Sequence, residues 1–222
     1  MRYAIITDIH SNLEALEAVL DRIREVQADR ILCLGDIVGY GADPALCIEK
    51  VLRQAPMTVR GNHDKAVAGL MSTRLFNSYA AEAVRWTTQT LTRDELGTVK
   101  NLFPGPRPEG ENILLCHGSP QDEDLYLSSR EGVQEAFTFL RRFFPETRLC
   151  FYGHTHMPFA GDDEGKTYPA TGSFTLRKNR VYLINPGSVG QPRDGNPEAA
   201  FGLFDERDGV FSFHRVSYAV EE

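Results

Sequence analysis

The chain has no apolar run approaching the roughly 18 residues needed to cross a bilayer, no basic block, no internal repeat and no low-complexity stretch. The first absence excludes membrane-spanning helices. Acids outnumber bases 31 to 24, for a formal charge of −7. That balance argues against extended nucleic-acid binding, whose affinity comes largely from Lys/Arg contacts to phosphate. Residues 1–10 (MRYAIITDIH) lack the long apolar region and small-residue cleavage site of a secretory signal. Cysteine is sparse as well. Cys33, Cys47, Cys116 and Cys150 form no C-x-x-C pair, which removes zinc knuckles and dithiol redox sites. Three of them sit in apolar runs (ILCLG, ILLCHG, RLCFYG) and are expected as buried free thiols in a cytoplasmic protein. What remains is ordinary: 222 residues, 41% hydrophobic and 25% charged. Such a chain can bury a substantial core, and one domain over residues 1–222 is expected.

The first half alternates short apolar runs with amphipathic stretches. Tyr3–Ile6 reads as a buried parallel strand ending at Thr7-Asp8. Ser11 and Glu14 have capping-box spacing, and Leu13, Leu16, Leu20 and Ile23 then recur with helical period. Ile31–Leu34 is a second strand leading into Gly35-Asp36. Asp43-Pro44 opens a helix to about Gln54, and Met57–Val59 is a third strand. Helices are expected over 77–91, 93–102 and 131–143, with strands at Ile113–Cys116 and Leu149–Tyr152. PGPRPEGEN (104–112) reads as a surface loop. After residue 157 short strands take over, namely 181–185, 199–204 and 210–220, with an Arg-Asp-Gly hairpin turn at 207–209.

Each apolar run ends in residues able to bind metal. The series is Asp8 and His10, Asp36, Asn62 and His63, His117, then His154 and His156; of the six histidines only His214 stands outside it. Parallel strands place ligand sites beyond their carboxyl ends, so these residues can converge. Imidazole, carboxylate and amide ligands suit Mn, Fe, Zn, Co or Ni. Seven of them exceed the needs of one tetrahedral ion and fit a pair of ions roughly 3.5–4 Å apart, the arrangement used for displacement at phosphorus.

The ordered set D-x-H, G-D, G-N-H-D, H-G and G-H-x-H resembles the calcineurin-like metallophosphoesterase superfamily, in its small single-domain bacterial and archaeal branch. The resemblance runs from Asp8 to Asn185-Pro186-Gly187-Ser188. It implies a four-layer α/β/β/α sandwich with a dinuclear metal site at the strand ends. By position it puts Asp8, His10 and His156 on one ion and Asn62, His117 and His154 on the other, with Asp36 bridging. His63 matches the family's non-ligand histidine, which protonates the leaving oxygen, and Asp64 is expected to help hold it. The implied activity is hydrolysis of phosphodiesters or nucleotide phosphoanhydrides by a hydroxide bridging two metal ions, with manganese favoured. The implied partner is a small phosphoester or nucleotide.

The run Gly35-Asp36-Ile37-Val38-Gly39-Tyr40 departs from the protein phosphatases, which carry an aspartate at the Gly39 position and a phosphate-gripping arginine at the Tyr40 position. That puts protein-phosphatase activity in doubt. Tyr40 either stacks on a base or packs, and Asn12 either touches substrate or caps a helix. The loop 185–195 is a connection or a substrate wall, with Arg193 as a phosphate contact. Gly165-Lys166-Thr167 is no P-loop, because Gly161 stands one residue too close. Two rival functions share the fold: a repair-type DNA nuclease, disfavoured by the short acidic chain, and a non-catalytic scaffold, disfavoured by intact His10 and His63.

Overall fold

In the computed structural model, which describes residues 1–220, the apolar runs become strands whose side chains alternate between two cores. In chain order the elements are β1 (Arg2–Ile6), α1 (Leu13–Glu25), β2 (Arg30–Cys33), α2 (Pro44–Gln54), β3 (Met57–Thr58), α3 (Asn62–Val67), a 3₁₀ turn (Thr73–Leu75), α4 (Ser78–Thr90) and α5 (Arg93–Lys100). There follow β4 (Arg107–Glu109), β5 (Ile113–Leu115), α6 (Arg130–Phe143), β6 (Leu149–Phe151), β7 (Phe159–Asp162), β8 (Thr167–Tyr168), β9 (Gly172–Thr175), β10 (Tyr182–Asn185), β11 (Ala199–Asp205) and β12 (Val210–Val216).

The strands form two six-stranded mixed sheets, ordered β3-β2-β1-β11-β12-β9 and β4-β5-β6-β10-β7-β8. Period-two alternation explains how they stack. Tyr3 and Ile5 of β1 face a central core shared with Leu32, Leu115, Phe151, Ile184 and Phe211, so this layer lies between the sheets. Ala4 and Ile6 point the other way, onto Leu16, Val19 and Ile23 of α1 and Ile48 and Val51 of α2. On the far side Leu114, Cys150 and Leu183 meet Ala136, Phe137 and Leu140 of α6. The order is helices, sheet, sheet, helix, as the resemblance implies. Strands buried on both faces read as continuous apolar runs, because neither side meets water.

Three local readings need correction. The N-cap of α1 is Asn12, whose Oδ1 accepts from Ala15 N–H (3.0 Å), and not Ser11. Ser11 takes φ +56°, which delays the helix by one residue. The stretch 104–112 is not all loop, since Arg107–Glu109 pairs antiparallel with β5. The last strand stops at Val216. Gly165 lies in the turn of the β7–β8 hairpin with φ +83°, so no helix follows it and the P-loop reading fails in three dimensions too. All four cysteines are buried and free. His214 stacks on Phe201 (4.7 Å between centroids) and its Nε2 meets Ser212 Oγ at 2.9 Å, a structural placement.

The position of the site follows from this topology. β1, β2 and β3 run parallel in one sheet, and β5, β6 and β10 run parallel in the other. Their carboxyl ends emerge along one edge of the sandwich.

Candidate metal centre

Seven strand-end residues meet at that edge: Asp8, His10, Asp36, Asn62, His117, His154 and His156, all buried. Ligand atoms of Asp8, His10 and His156 lie within 4.8 Å of one another, as do those of Asp36, His117 and His154. His10, Asp36 and His63 form a third such group. Asn62 joins the second group through Oδ1, 3.2 Å from His117 Nε2.

The tautomers can be read from the second contacts, since a carbonyl oxygen only accepts. Nδ1 of His10 faces Val38 O (3.2 Å), Nδ1 of His117 faces Leu34 O (2.9 Å) and Nδ1 of His156 faces Gln191 O (2.6 Å). His10 and His156 therefore present a bare Nε2 to the centre, and His117 does so once its second proton is displaced. His154 is reversed: its Nε2 donates to Asp124 O (3.0 Å), leaving Nδ1 for the centre. The consequence is a set of acceptors aimed at acceptors. His10 Nε2 and His156 Nε2 are 3.0 Å apart, and His156 Nε2 is 3.4 Å from Asp8 Oδ1. Lone pairs at these distances repel unless a cation lies among them, so the donor set fits divalent metal.

Electrostatics point the same way. Burial pulls the pKa of His10 well below the usual value and lowers those of His63 and His156. His154 falls to about 3 through burial and the neighbouring His117. Neutral imidazole is the form that binds metal. His117 is the exception: burial opposes its charge, but the Asp36 carboxylate raises its pKa to about 10. Burial alone would raise Asp36; the charges of His117 and His63 instead hold it well below the carboxylate range. The His117–Asp36 pair thus retains a proton where a cation fits.

Backbone and glycine chemistry position these groups. A Cβ on Gly61 would stand 2.0 Å from Asp36 Oδ1, so only glycine lets the two loops approach. Asp36 Oδ1 accepts from His63 N–H at 2.8 Å. The 185–190 segment is a brace: Ser188 Oγ donates to Asp8 O (2.8 Å), and Asn185 Nδ2 donates to Gly153 O (2.8 Å) and Thr155 Oγ1 (3.0 Å).

Asp64 does not hold the His63 ring. Its carboxylate accepts from the N–H groups of Asp36 (2.8 Å), Ile37 (3.0 Å), Val38 (3.2 Å) and Gly61 (2.9 Å), which folds the Gly35–Gly39 loop over the start of α3. Burial and Asp36 push its pKa up to about 7, against these four donors, which favour the charged form. His63 Nδ1 is buried and has no partner among the described residues. It lies so close to Gly39 that a Cβ there would be 2.5 Å away, and an aspartate has no room. Rings hold the imidazole instead, with Tyr40 at 4.8 Å, His10 at 4.8 Å and Phe76 at 4.9 Å.

The weaker candidates sort out by contact. Tyr40 packs edge-on against His10 (4.9 Å, 84°). Asn12 caps α1, and its Nδ2 donates to Gly190 O (3.0 Å), so its amide is occupied. Arg193 is exposed at the rim and donates to Gln191 Oε1 (2.8 Å); burial depresses the pKa of His156, Asp8 raises it, and the Arg193 charge adds to the depression. A supporting cluster carried no sequence signal: Lys65, with only 7% exposure, contacts Glu123 (2.9 Å) and Asp124 (2.6 Å), and Arg60 contacts Glu123 (3.0 Å). This cluster fixes the loop whose Asp124 carbonyl orients His154.

A two-sheet sandwich with Asp, Asn and His convergent at one edge defines a metallophosphoesterase architecture, and family comparison agrees. The chain belongs to the calcineurin-like phosphoesterase superfamily, whose domain model matches residues 1–209. It is similar to an uncharacterized protein of Methanocaldococcus jannaschii, with 39% identity over 223 residues covering 99% of this chain and 88% of the relative. It is also similar to the Escherichia coli phosphodiesterase YfcE, at 24% over 215 residues, 92% of this chain and 88% of that one. Among solved structures, a metallophosphoesterase from Sphaerobacter thermophilus shares 38% identity with a TM-score of 0.84, covering 99% of this chain and 89% of its own.

Proposed function

We propose that the chain hydrolyses small phosphodiesters or nucleotide phosphoanhydrides with two divalent ions, manganese favoured. The observation carrying this reading is the pair of buried groups Asp8/His10/His156 and Asp36/His117/His154 at one edge. In it, Asp8, His10 and His156 hold one ion, Asn62, His117 and His154 the other, and Asp36 reaches both. Such ions, when bound, lower the pKa of water and neutralise phosphoryl oxygens. The protein supplies the rest. Carbonyls of Val38, Leu34 and Gln191 lock three imidazoles in the metal-binding tautomer. His63 stands beside Asp36 and His10 as the proton donor for the leaving oxygen. Since Nδ1 is enclosed against Gly39, Nε2 is the nitrogen that exchanges the proton. Arg193 at the rim supplies a cationic phosphate contact, in place of the arginine that Tyr40 replaces. Four buried free thiols suit a reducing, cytoplasmic setting.

The test is elemental analysis of the purified protein with a metal-dependent panel: a monoester, a diester, cyclic nucleotides, dinucleoside polyphosphates and single-stranded DNA. Two equivalents of metal and hydrolysis of a diester or anhydride are expected. Metal-loaded protein inert toward every substrate would overturn the enzyme reading.

A further inference from the structure

Beside His63 the centre opens into a cavity of about 320 Å³ whose walls differ in kind from the metal edge. Tyr40, Met71, Leu75, Phe76 and Tyr126 line it, and no Lys or Arg does so among the described residues. Tyr40 comes from between β2 and α2, and two further loops bring the other side chains to it. The 3₁₀ turn Thr73–Leu75 and Phe76 come from between α3 and α4, and Tyr126 comes from the segment before α6. Both loops are tied to the centre: Phe76 lies 4.9 Å from the His63 ring and Tyr126 3.7 Å from the His154 ring. Yet their apolar surface stays in water, with Leu75 94% exposed and Tyr126 49%. One exposed leucine means little. Several flat or apolar side chains around one concavity, with a few polar groups at its floor, have the make-up of a small-molecule subsite.

We infer that this cavity receives the leaving group, and that the leaving group is a nucleoside. The inference rests on the phosphoesterase reading and deepens it. His63 lies on the cavity floor, so the oxygen it protonates departs on this side. Asp124 lines the cavity, no Lys or Arg does so among the described residues, and Arg193 stands at its rim beside Tyr126. The phosphoryl group therefore stays at the metal edge and an uncharged group enters the cavity. A nucleobase, with two apolar faces, matches walls of Phe76, Tyr126 and Leu75. The step balances as hydrolysis. The oxygen of water bonds to phosphorus, the bond from phosphorus to the nucleoside oxygen breaks, and that oxygen takes the His63 proton. A proton from the water is released to solvent or back to His63.

Leu75→Asp tests this with little risk to folding, since Leu75 is almost fully exposed. The probes for Mn²⁺-loaded protein are the dinucleotide adenylyl-3′,5′-adenosine and glycerophosphocholine, a diester without a flat group. Adenosine binding is followed by calorimetry. The variant is expected to raise KM for the dinucleotide about tenfold with little change in kcat, to weaken adenosine by a similar factor, and to leave the glycerophosphocholine KM within about twofold. Adenosine that fails to bind the wild type, or binds both proteins equally, overturns the subsite even where diester hydrolysis is measured. A parallel rise in KM for both diesters overturns it as well. Hydrolysis of neither diester nor any other substrate of the panel, with adenosine bound and weakened by the variant, sinks the phosphoesterase reading and leaves the nucleoside site standing.

Discussion

The two ends of the sandwich turn their chains by different means. At the metal edge Gly35 and Gly39 (φ +96° and +94°) are joined by Asp8, His10, Ser11, Asp36, Tyr40, His154 and His156, all with φ between +51° and +66°. At the opposite edge the β4–β5, β7–β8 and β11–β12 hairpins turn on Gly110, Gly165 and Gly209, with φ from +63° to +83°. Glycine adopts this conformation freely, whereas a residue with a Cβ incurs about 1–2 kcal/mol. Of the non-glycine residues with positive φ among the described residues, only Gln27 lies away from the metal edge. Glycine would relieve the strain at the metal edge, but it would delete the carboxylates and imidazoles. The left-handed backbone bends the chain sharply at the strand ends, and from these bends Asp8 and His10, and His154 and His156, reach the centre. Strain is concentrated where ligands are needed, with Gln27 the one exception among the described residues.

The largest effect expected at the strained edge comes from Asp36→Asn. It keeps the size of the side chain and an oxygen for His63 N–H, but removes the charge facing both groups. Turnover should fall roughly 10³-fold or more, with loss of bound metal by elemental analysis; an active, metal-replete variant would break the proposed assignment. Next is His63→Ala, which should cost about 10²–10⁴-fold in kcat while metal content stays near wild type. Loss of metal instead would make His63 a ligand, an alternative its proximity to His10 and Asp36 keeps in play.

The third effect falls on stability. Asp64→Ala strips four N–H groups of their acceptor within a buried loop. A loss of about 3 kcal/mol is expected, read by denaturant unfolding of metal-free protein so that ligand effects do not intrude. No loss would mean that the loop at the metal edge is held by its other contacts. At the far edge the counterpart carboxylates carry less: Asp162 Oδ1 accepts from two turn N–H groups of the β7–β8 hairpin, and Asp205 Oδ1 from two of the β11–β12 hairpin.

Much of this edge was legible in the sequence, for a physical reason. Buried parallel strands read as apolar runs, and a polar Asp, Asn or His closing such a run has no packing role, so Asp8, Asp36, Asn62 and His117 stood out. The capping role open to Asn12 is the one it takes, whereas the Ser11–Glu14 box fails because capping spacing assumes an ordinary approach to the helix, and the left-handed His10–Ser11 pair shifts it. Asp64 was misread because its partners are backbone N–H groups 26–28 residues away as well as nearby, and backbone donors leave no mark on sequence. Phe76, Tyr126 and Asp124 were missed for a related reason: they lie on connections without periodicity and become neighbours of the histidines only after the sheets pack, as does Lys65 from the short helix α3.

Gln27 gives the smallest effect and the cleanest test of the strain argument. It sits just past α1 in the left-handed conformation (φ +55°). Its N–H donates to Arg24 O (3.1 Å), and Ala28 N–H donates to Ile23 O (3.3 Å). That bond pattern is the Schellman motif, in which the left-handed position is usually glycine. Gln27→Gly keeps both bonds and relieves about 1–2 kcal/mol of strain, offset by about 0.5–1 kcal/mol of added freedom in the unfolded chain. A net gain of about 0.5 kcal/mol, or a rise in Tm of about 1–2 °C, is therefore expected with kcat unchanged. A matched Tyr40→Gly exchange should lose any such gain, because it also removes the ring packed on His10 and His63. If Gln27→Gly is instead destabilising, left-handed backbone carries no appreciable strain in this fold, and the contrast between the two edges reduces to composition.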